Sequence, residues 1–251
     1  MSETSKETSE RAHFRAKPAL FAVCLTLLAA ILFGLGTWQV QRLGWKSDLI
    51  ARVDQRVHSA PLPAPARADW DKVDAGNDEY RRVTVEGVLA NDKETLVYAS
   101  TVLGPGYWVM TPLMLADGAA ILVNRGFVPT DRRDPASRRD GQISGPIEIT
   151  GLLRMTEPKG SLLQSNDVAA DRWYSRDVAA IAQKRGLGAV APFFIDADAT
   201  ANPGGLPVGG LTVIHFPNNH LVYAITWYGL AVMVLALLVF VVRGEIGRSR
   251  A

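Results

Sequence analysis

Two uncharged runs near the ends of the chain constrain its fold more than any other feature. Leu221 to Val242 is 22 residues without a formal charge, and Pro18 to Val40 is 23. At ~1.5 Å of helical rise per residue, either run covers the ~30 Å hydrocarbon core of a bilayer. The first is too long for the apolar core of a signal peptide. It continues into "TWQVQR" rather than a small-residue cleavage site, so a retained anchor is expected.

Basic residues flanking the runs predict the orientation. Arg243, Arg248 and Arg250 follow the second run, whereas no Lys or Arg lies between Arg185 and that run. The C-terminus is therefore expected in the cytoplasm. With two spans the N-terminus joins it, in agreement with Arg11, Arg15 and Lys17, although Arg42 and Lys46 weaken the bias there. The predicted organisation is a cytoplasmic tail over 1–17, a transmembrane helix over 18–40, an outer domain over 41–219, a second transmembrane helix over 220–242 and a cytoplasmic tail over 243–251. In a bacterium the outer side is the periplasm. Glu3, Glu7 and Glu10 argue against a mitochondrial transit peptide, which is poor in acids.

Between the runs the pattern is mostly that of strands. In "YRRVTVEGVL", Val83, Val85 and Leu89 alternate with Arg82, Thr84 and Glu86, the period of a half-buried strand. In "GYWVMTPLMLADGAAILVNRGFVP" two apolar runs flank Asp117-Gly118, a pair suited to a tight two-residue turn. Further strands are expected at "PIEITGLLRM", "APFFIDAD" and "GLTVIHF". One helix is expected from Ser175 as N-cap through Asp177 to Gly186 as C-cap, with Val178, Ile181 and Ala182 on its apolar side. Loops are expected at "APLPAPARAD", "DRRDPASRRDG" and "ANPGGLPVGG". The predicted class is thus a membrane protein with two transmembrane helices flanking a mainly antiparallel β domain of α+β, barrel-like character.

Composition excludes several functions. Lys plus Arg number 27 against 25 acids, too even a balance for a nucleic-acid partner. The single cysteine, Cys24, lies inside the first run, so the chain can form no internal disulfide and has no C-x-x-C-H or Cys/His zinc spacing. No nucleophile elbow, P-loop, H-E-x-x-H or dinucleotide fingerprint occurs, and the acids around Asp131 to Asp140 alternate with arginines as on a solvated surface. An enzyme is not expected. Met110 and Met114 would share a strand face, but at ~3.3 Å per residue they stand ~13 Å apart, too far to hold one copper ion, and read as core.

The candidate site is at the mouth of the second run. His220, Tyr223, Ala224 and Trp227 fall on one helix face at spacings of three, four and seven, an imidazole and two aromatics around one small residue. This arrangement suits the wall of a flat ligand. In the first run Trp38, Arg42 and Trp45 repeat the theme, and Ala30 and Gly34 have the small-x-x-x-small spacing that lets two spans approach. The alternative is an ordinary interface. Trp and Tyr belts are normal at membrane surfaces, Arg snorkels there, and a His at a helix start bonds to backbone or water. His215, expected at a strand end, and His13 and His58, expected in tail or loop, are weaker candidates.

The segments "LGTWQVQRLGWKSDLI", "EYRRVTVEG", "ILVNRGFVP", "PFFIDAD", "PGG" and "NNHLVYAITWYGLA" stand in this order between Leu35 and Ala231. Together they resemble the Surfeit-locus-one family, assembly factors of cytochrome c oxidase, over nearly the whole chain beyond the N-terminal tail. The resemblance implies help in placing haem a in oxidase subunit I, with haem a synthase as a further partner and membrane lipid around the spans. It also implies that the histidine of "NNHL", here His220, ligates the haem iron. Mitochondrial relatives carry a charged residue three positions earlier, where this chain has Pro217, so a propionate role for that charge does not transfer. An imidazole can donate to haem iron, aromatic faces such as Trp227 can pack on a porphyrin, and Arg42 can pair with a propionate. Tyr223, Trp227, Trp38 and Arg42 enter as cofactor-binding candidates by geometry alone, and Arg125 as a structural ion-pair partner. Two alternatives stay open: a haem-independent scaffold for nascent subunit I, and a two-span periplasmic sensor or transporter subunit, for which both tails are short.

Overall fold

The computed structural model describes residues 3–158, 160–161, 164–214 and 216–250. In chain order the elements are α1 (Glu3–His58), β1 (Leu62–Pro63), α2 (Ala75–Asp78), β2 (Arg82–Leu89), β3 (Thr95–Thr101), β4 (Gly104–Met114), β5 (Ala120–Pro129), β6 (Pro146–Met155), α3 (Val178–Lys184), β7 (Val190–Ala197) and α4 (His220–Arg250). They form two compact units, a helical pair from α1 and α4 and a β-rich unit over Arg52–Ile214.

In the helical pair, both helices are long and apolar enough to cross a membrane. α1 continues well past Val40, and its last turns belong to the β-rich unit, where Arg56 donates to the Gly76 and Glu79 carbonyls. Among the buried or half-buried positions of α1, Leu25, Ala29, Leu32, Gly36, Gln39, Leu43 and Lys46 recur alternately four and three apart. In α4 the matching set is His220, Ala224, Trp227, Ala231, Val234 and Leu238. This seven-residue repeat is the seam of two helices packed like a coiled coil. Contacts pair Gly36 with Tyr228, Gln39 with His220 and Ser47 with Asn218, so the helices run antiparallel. The approach expected at Ala30 and Gly34 does not occur. Both are exposed, and a Cβ on Gly34 would meet nothing within 4 Å. Ala29 and Gly36 take their place, because the seam follows the heptad and not the small-residue spacing. Large apolar side chains from Leu20 to Val40 and from Leu221 to Ile246 remain exposed around the pair, as lipid-facing surface requires.

The β-rich unit is a closed barrel. Strands pair in the order β2-β6-β7-β5-β4, and β4 returns to β2 through Val88 opposite Met114 and Leu89 opposite Leu113. β5 and β7 are parallel and the other four barrel pairings antiparallel. β3 extends the sheet beyond β4, and β1 lies along β2. Alternation explains the two apolar clusters. Ile121 and Val123 of β5 with Phe193 and Ile195 of β7 fill the barrel, joined by Val83, Leu113 and Leu153. Leu122 and Phe194 point the other way, where Val178 and Ile181 of α3, Trp173 and Met110 cover them. β5 is buried on both faces for this reason, which hides its period from a reading of the sequence. Met110 is core, as expected.

Four local readings change. The β4–β5 turn is not a two-residue turn at Asp117-Gly118. Gly118 N donates to the Leu115 carbonyl and only Gly118 has positive φ (79°), which is a three-residue loop with a glycine bulge. α3 is capped by Asp177, whose carboxylate accepts from Ala180 N, while Ser175 is drawn inward and accepts from Gly160 N and Asn166 Nδ2. "GLTVIHF" forms no strand among its described residues. β5 and β7 already have neighbours on both sides, so the barrel offers that segment no free edge, and Val213 is 78% exposed. Arg138, read as part of a solvated loop, is buried and clamps Glu94 through two hydrogen bonds.

Candidate functional site

His220 opens α4, and the antiparallel seam sets it opposite Gln39. Nδ1 of His220 lies 2.7 Å from Oε1 of Gln39. A carbonyl oxygen only accepts, so Nδ1 donates and the lone pair of the neutral ring sits on Nε2. Gln39 is 9% exposed, deep enough that an unmet amide would be costly. Beside this pair Asn218 donates to Ser47 Oγ at 3.4 Å, while its own buried Oδ1 has no protein partner. Lys46 Nζ stands 5.8 Å over the Phe216 ring.

Of the remaining candidates, Trp227 is a seam position and the others flank the seam. In an antiparallel pair, residues one position before a seam residue project to the same side from both helices, since each is turned back by 100°. Trp38, Arg42 and Trp45 precede Gln39, Leu43 and Lys46. Tyr223 precedes Ala224. Trp38, Trp45 and Tyr223 are about half exposed there, Trp227 is half-buried, and the Arg42 guanidinium lies 4.8 Å from the Trp45 ring centroid. The opposite flank is occupied by Phe33, Thr37 and Tyr228. The rings of Phe33 and Tyr228 are 5.2 Å apart, and Thr37 Oγ1 and Tyr228 Oη are 3.1 Å apart. Direct contact thus joins His220 with Gln39 and Arg42 with Trp45, while Trp38 and Tyr223 share their side of the pair and Trp227 lies at the seam.

Gln39 was hidden in the sequence, because a glutamine near the lip of an uncharged run carries no signal by itself. Its separation of seven from Leu32 and fourteen from Leu25 would have marked it as a seam position. Of the weaker histidines, His215 lies outside the described residues. His58 ends α1 instead of lying in a loop, and its Nδ1 bonds the Asp54 carbonyl at 2.9 Å.

Several buried ionisable groups of the β-rich unit are committed to structure. Asp196 of β7, buried, takes Arg154 Nη1 and Arg176 Nη1 at 3.0 Å each, Asn124 Nδ2 at 2.8 Å and Thr212 Oγ1 at 3.0 Å. Burial would raise the Glu157 carboxyl, but its bonds with Arg176 outweigh this and hold it below the usual range. Arg125 is not the ion-pair partner expected from the sequence. It is buried and donates to neutral oxygens of Gly141, Asn202 and Asn91, tying three loops to one end of the barrel. Burial pushes its guanidinium down to about 10, with Glu94 opposing. Among the described residues no three His, Cys, Asp or Glu side chains gather to hold a metal ion.

A family model described as the SURF1 family matches residues 26–232. Surfeit locus protein 1 of Rattus norvegicus is 38% identical over 240 residues, covering 89% of this chain and 76% of its own length. The protein of the same name in Homo sapiens is 38% identical over 224 residues, covering 82% and 72%. A SURF1-like protein of Monosiga brevicollis is 37% identical over 238 residues, covering 90% and 88%. With the match running from the first membrane helix through the barrel to the second, the chain belongs to the SURF1 family.

Proposed function

We propose that this protein is a non-enzymatic assembly factor of cytochrome c oxidase that holds haem a at His220 and passes it to oxidase subunit I. The observation that carries the haem reading is the isolated imidazole. A bare metal ion needs three or four protein donors, and the described residues gather no such group. Because a porphyrin brings four nitrogens of its own, the protein has to add only an axial donor, and Nε2 of His220 is suited to that role. The half-exposed Trp38 and Tyr223 offer apolar faces on one flank, the half-buried Trp227 offers another at the seam, and Arg42 offers a cation for a propionate.

In this reading both termini are cytoplasmic, the segment over 41–219 is periplasmic, and the site opens at the outer surface of the bacterial inner membrane. Haem a synthase is the fitting donor. Two tests apply. The detergent-purified protein from cells that make haem a should carry a haem absorption spectrum. Deleting the gene should lower the oxidase with a complete haem a and high-spin haem site while other haem proteins stay unchanged. Normal oxidase activity and haem content in the deletion strain would remove the proposal.

A scaffold role without haem is favoured by one observation. The His220–Gln39 hydrogen bond also joins two membrane helices, a use that interhelical polar pairs commonly have. In that case the purified protein carries no haem although its deletion still lowers the oxidase.

A further inference from the structure

We infer that Gln39 is a positioning residue that fixes the tautomer and ring orientation of His220, so that the iron-binding nitrogen is prepared by contact between the two membrane helices. The inference rests on the haem reading above and adds to it the group that makes His220 a donor.

Nδ1 adjoins the ring carbon that carries the side chain, whereas Nε2 is at the far edge, so a bond at Nδ1 sets both the ring plane and the direction of the Nε2 lone pair. Within a helix the usual acceptor for Nδ1–H is a backbone carbonyl one turn back. His58 uses this acceptor, with Nδ1 2.9 Å from the Asp54 carbonyl. His220 is the first residue of α4 and has no preceding helical turn to supply one. The acceptor comes instead from α1, as Gln39 Oε1 at 2.7 Å.

Three features make this contact specific. Gln39 is a seam position, so its carboxamide is withdrawn from solvent and aimed at α4. Gly36, one turn away on the same seam, lets the Tyr228 ring close against α1, and Ala224, one turn beyond His220, is the small buried residue opposite. An amide oxygen accepts without bringing a charge to the ring. The opposite amide orientation would place an N–H against Nδ1 and move the ring proton to Nε2, where it would block coordination. Partners of this kind around ligating histidines typically change metal affinity 10–100-fold.

The tautomer is readable without any haem. In the detergent-solubilised full-length protein labelled with 15N-histidine, the His220 signals, identified by their loss in His220→Gln, should have the pattern of a protonated Nδ1 and a bare Nε2. An Nε2–H ring, or an even mixture of tautomers, would overturn the inference whether or not haem a binds. In protein purified with haem, Gln39→Met keeps the length of the side chain and removes the acceptor, and should lower haem affinity about 10–100-fold. Gln39→Glu should keep haem but lower its midpoint potential, because a carboxylate draws the Nδ1 proton more strongly and enriches the donor. Equal haem affinity in wild type and Gln39→Met, or an unchanged potential in Gln39→Glu, would show that Gln39 is only a link between helices. Absence of haem from wild type alongside an Nδ1–H ring would refute the haem reading and leave the positioning intact.

Discussion

A Cβ placed on Gly36 of α1 would lie 2.7 Å from Cε1 of Tyr228 on α4, closer than any relaxed carbon contact. Tyr228 has little freedom to withdraw, since Phe33 holds its ring and Thr37 its hydroxyl. This tight contact between the two membrane helices lies one turn along α1 from Gln39, which bonds His220.

Gly36→Leu should therefore insert normally, being apolar, yet loosen the helical pair by about 1–3 kcal/mol, the usual cost of overpacking. Haem retention should fall with it. Gly34→Leu should have little effect, because that position faces open space. The check is haem content per protein for both variants in the same detergent, and equal values would dissociate the seam from the site.

His220→Ala should abolish the co-purifying haem spectrum, whereas His58→Ala should leave it unchanged, since His58 is committed to Asp54 at the end of α1. Tyr223 is the other side chain with a suitable donor atom on α4 near His220, and a phenolate ligand would give a distinct spectrum. An identical Soret band in wild type and His220→Ala, at equal protein level, would favour the scaffold reading.

The β-rich unit should lose stability in acid. Glu157 and Asp171 both have folded carboxyls held below their ordinary values of 4.5 and 3.8, because bonds with Arg176 in one case and with Trp173 and Arg185 in the other outweigh burial. A depressed folded value means that the stabilisation is fully present above the ordinary value and is lost as pH falls through the folded one. Thermal unfolding followed at pH 7 and then stepwise below pH 4.5 should show this loss, and Glu157→Gln should flatten the acid limb. A variant with an unaltered acid limb would contradict the assignment.

A reporter active only in the periplasm should work when inserted between Val102 and Leu103, the tip of the β3–β4 hairpin, where Val102 is 90% exposed. Fused after the C-terminus it should be silent. Activity at the C-terminal fusion would reverse the proposed orientation.

The sequence by itself determined the elements whose cause is local. Two uncharged runs mark the membrane helices because bilayer thickness translates directly into residue number. Alternation from Arg82 to Leu89 and in Pro146–Met155 marks strands with one wet face. Where both faces are covered, as in Ala120–Pro129, flanking turn residues had to serve instead of period. Tertiary structure decided whatever depends on a distant partner. Closure of the barrel rests on Leu89 meeting Leu113, which removes the edge that "GLTVIHF" would have needed. Asp177 rather than Ser175 became the cap of α3 because Ser175 is drawn inward to Gly160 and Asn166. Arg138 left the surface for Glu94, 44 positions earlier. At the candidate site, the sequence marked His220 by its place at the lip of a span, but the ring's donor atom depends on Gln39, 181 positions away on the other helix. Spacing can mark Gln39 as a seam position, but its bond to His220 has a geometry only after two helices have chosen which faces to bury.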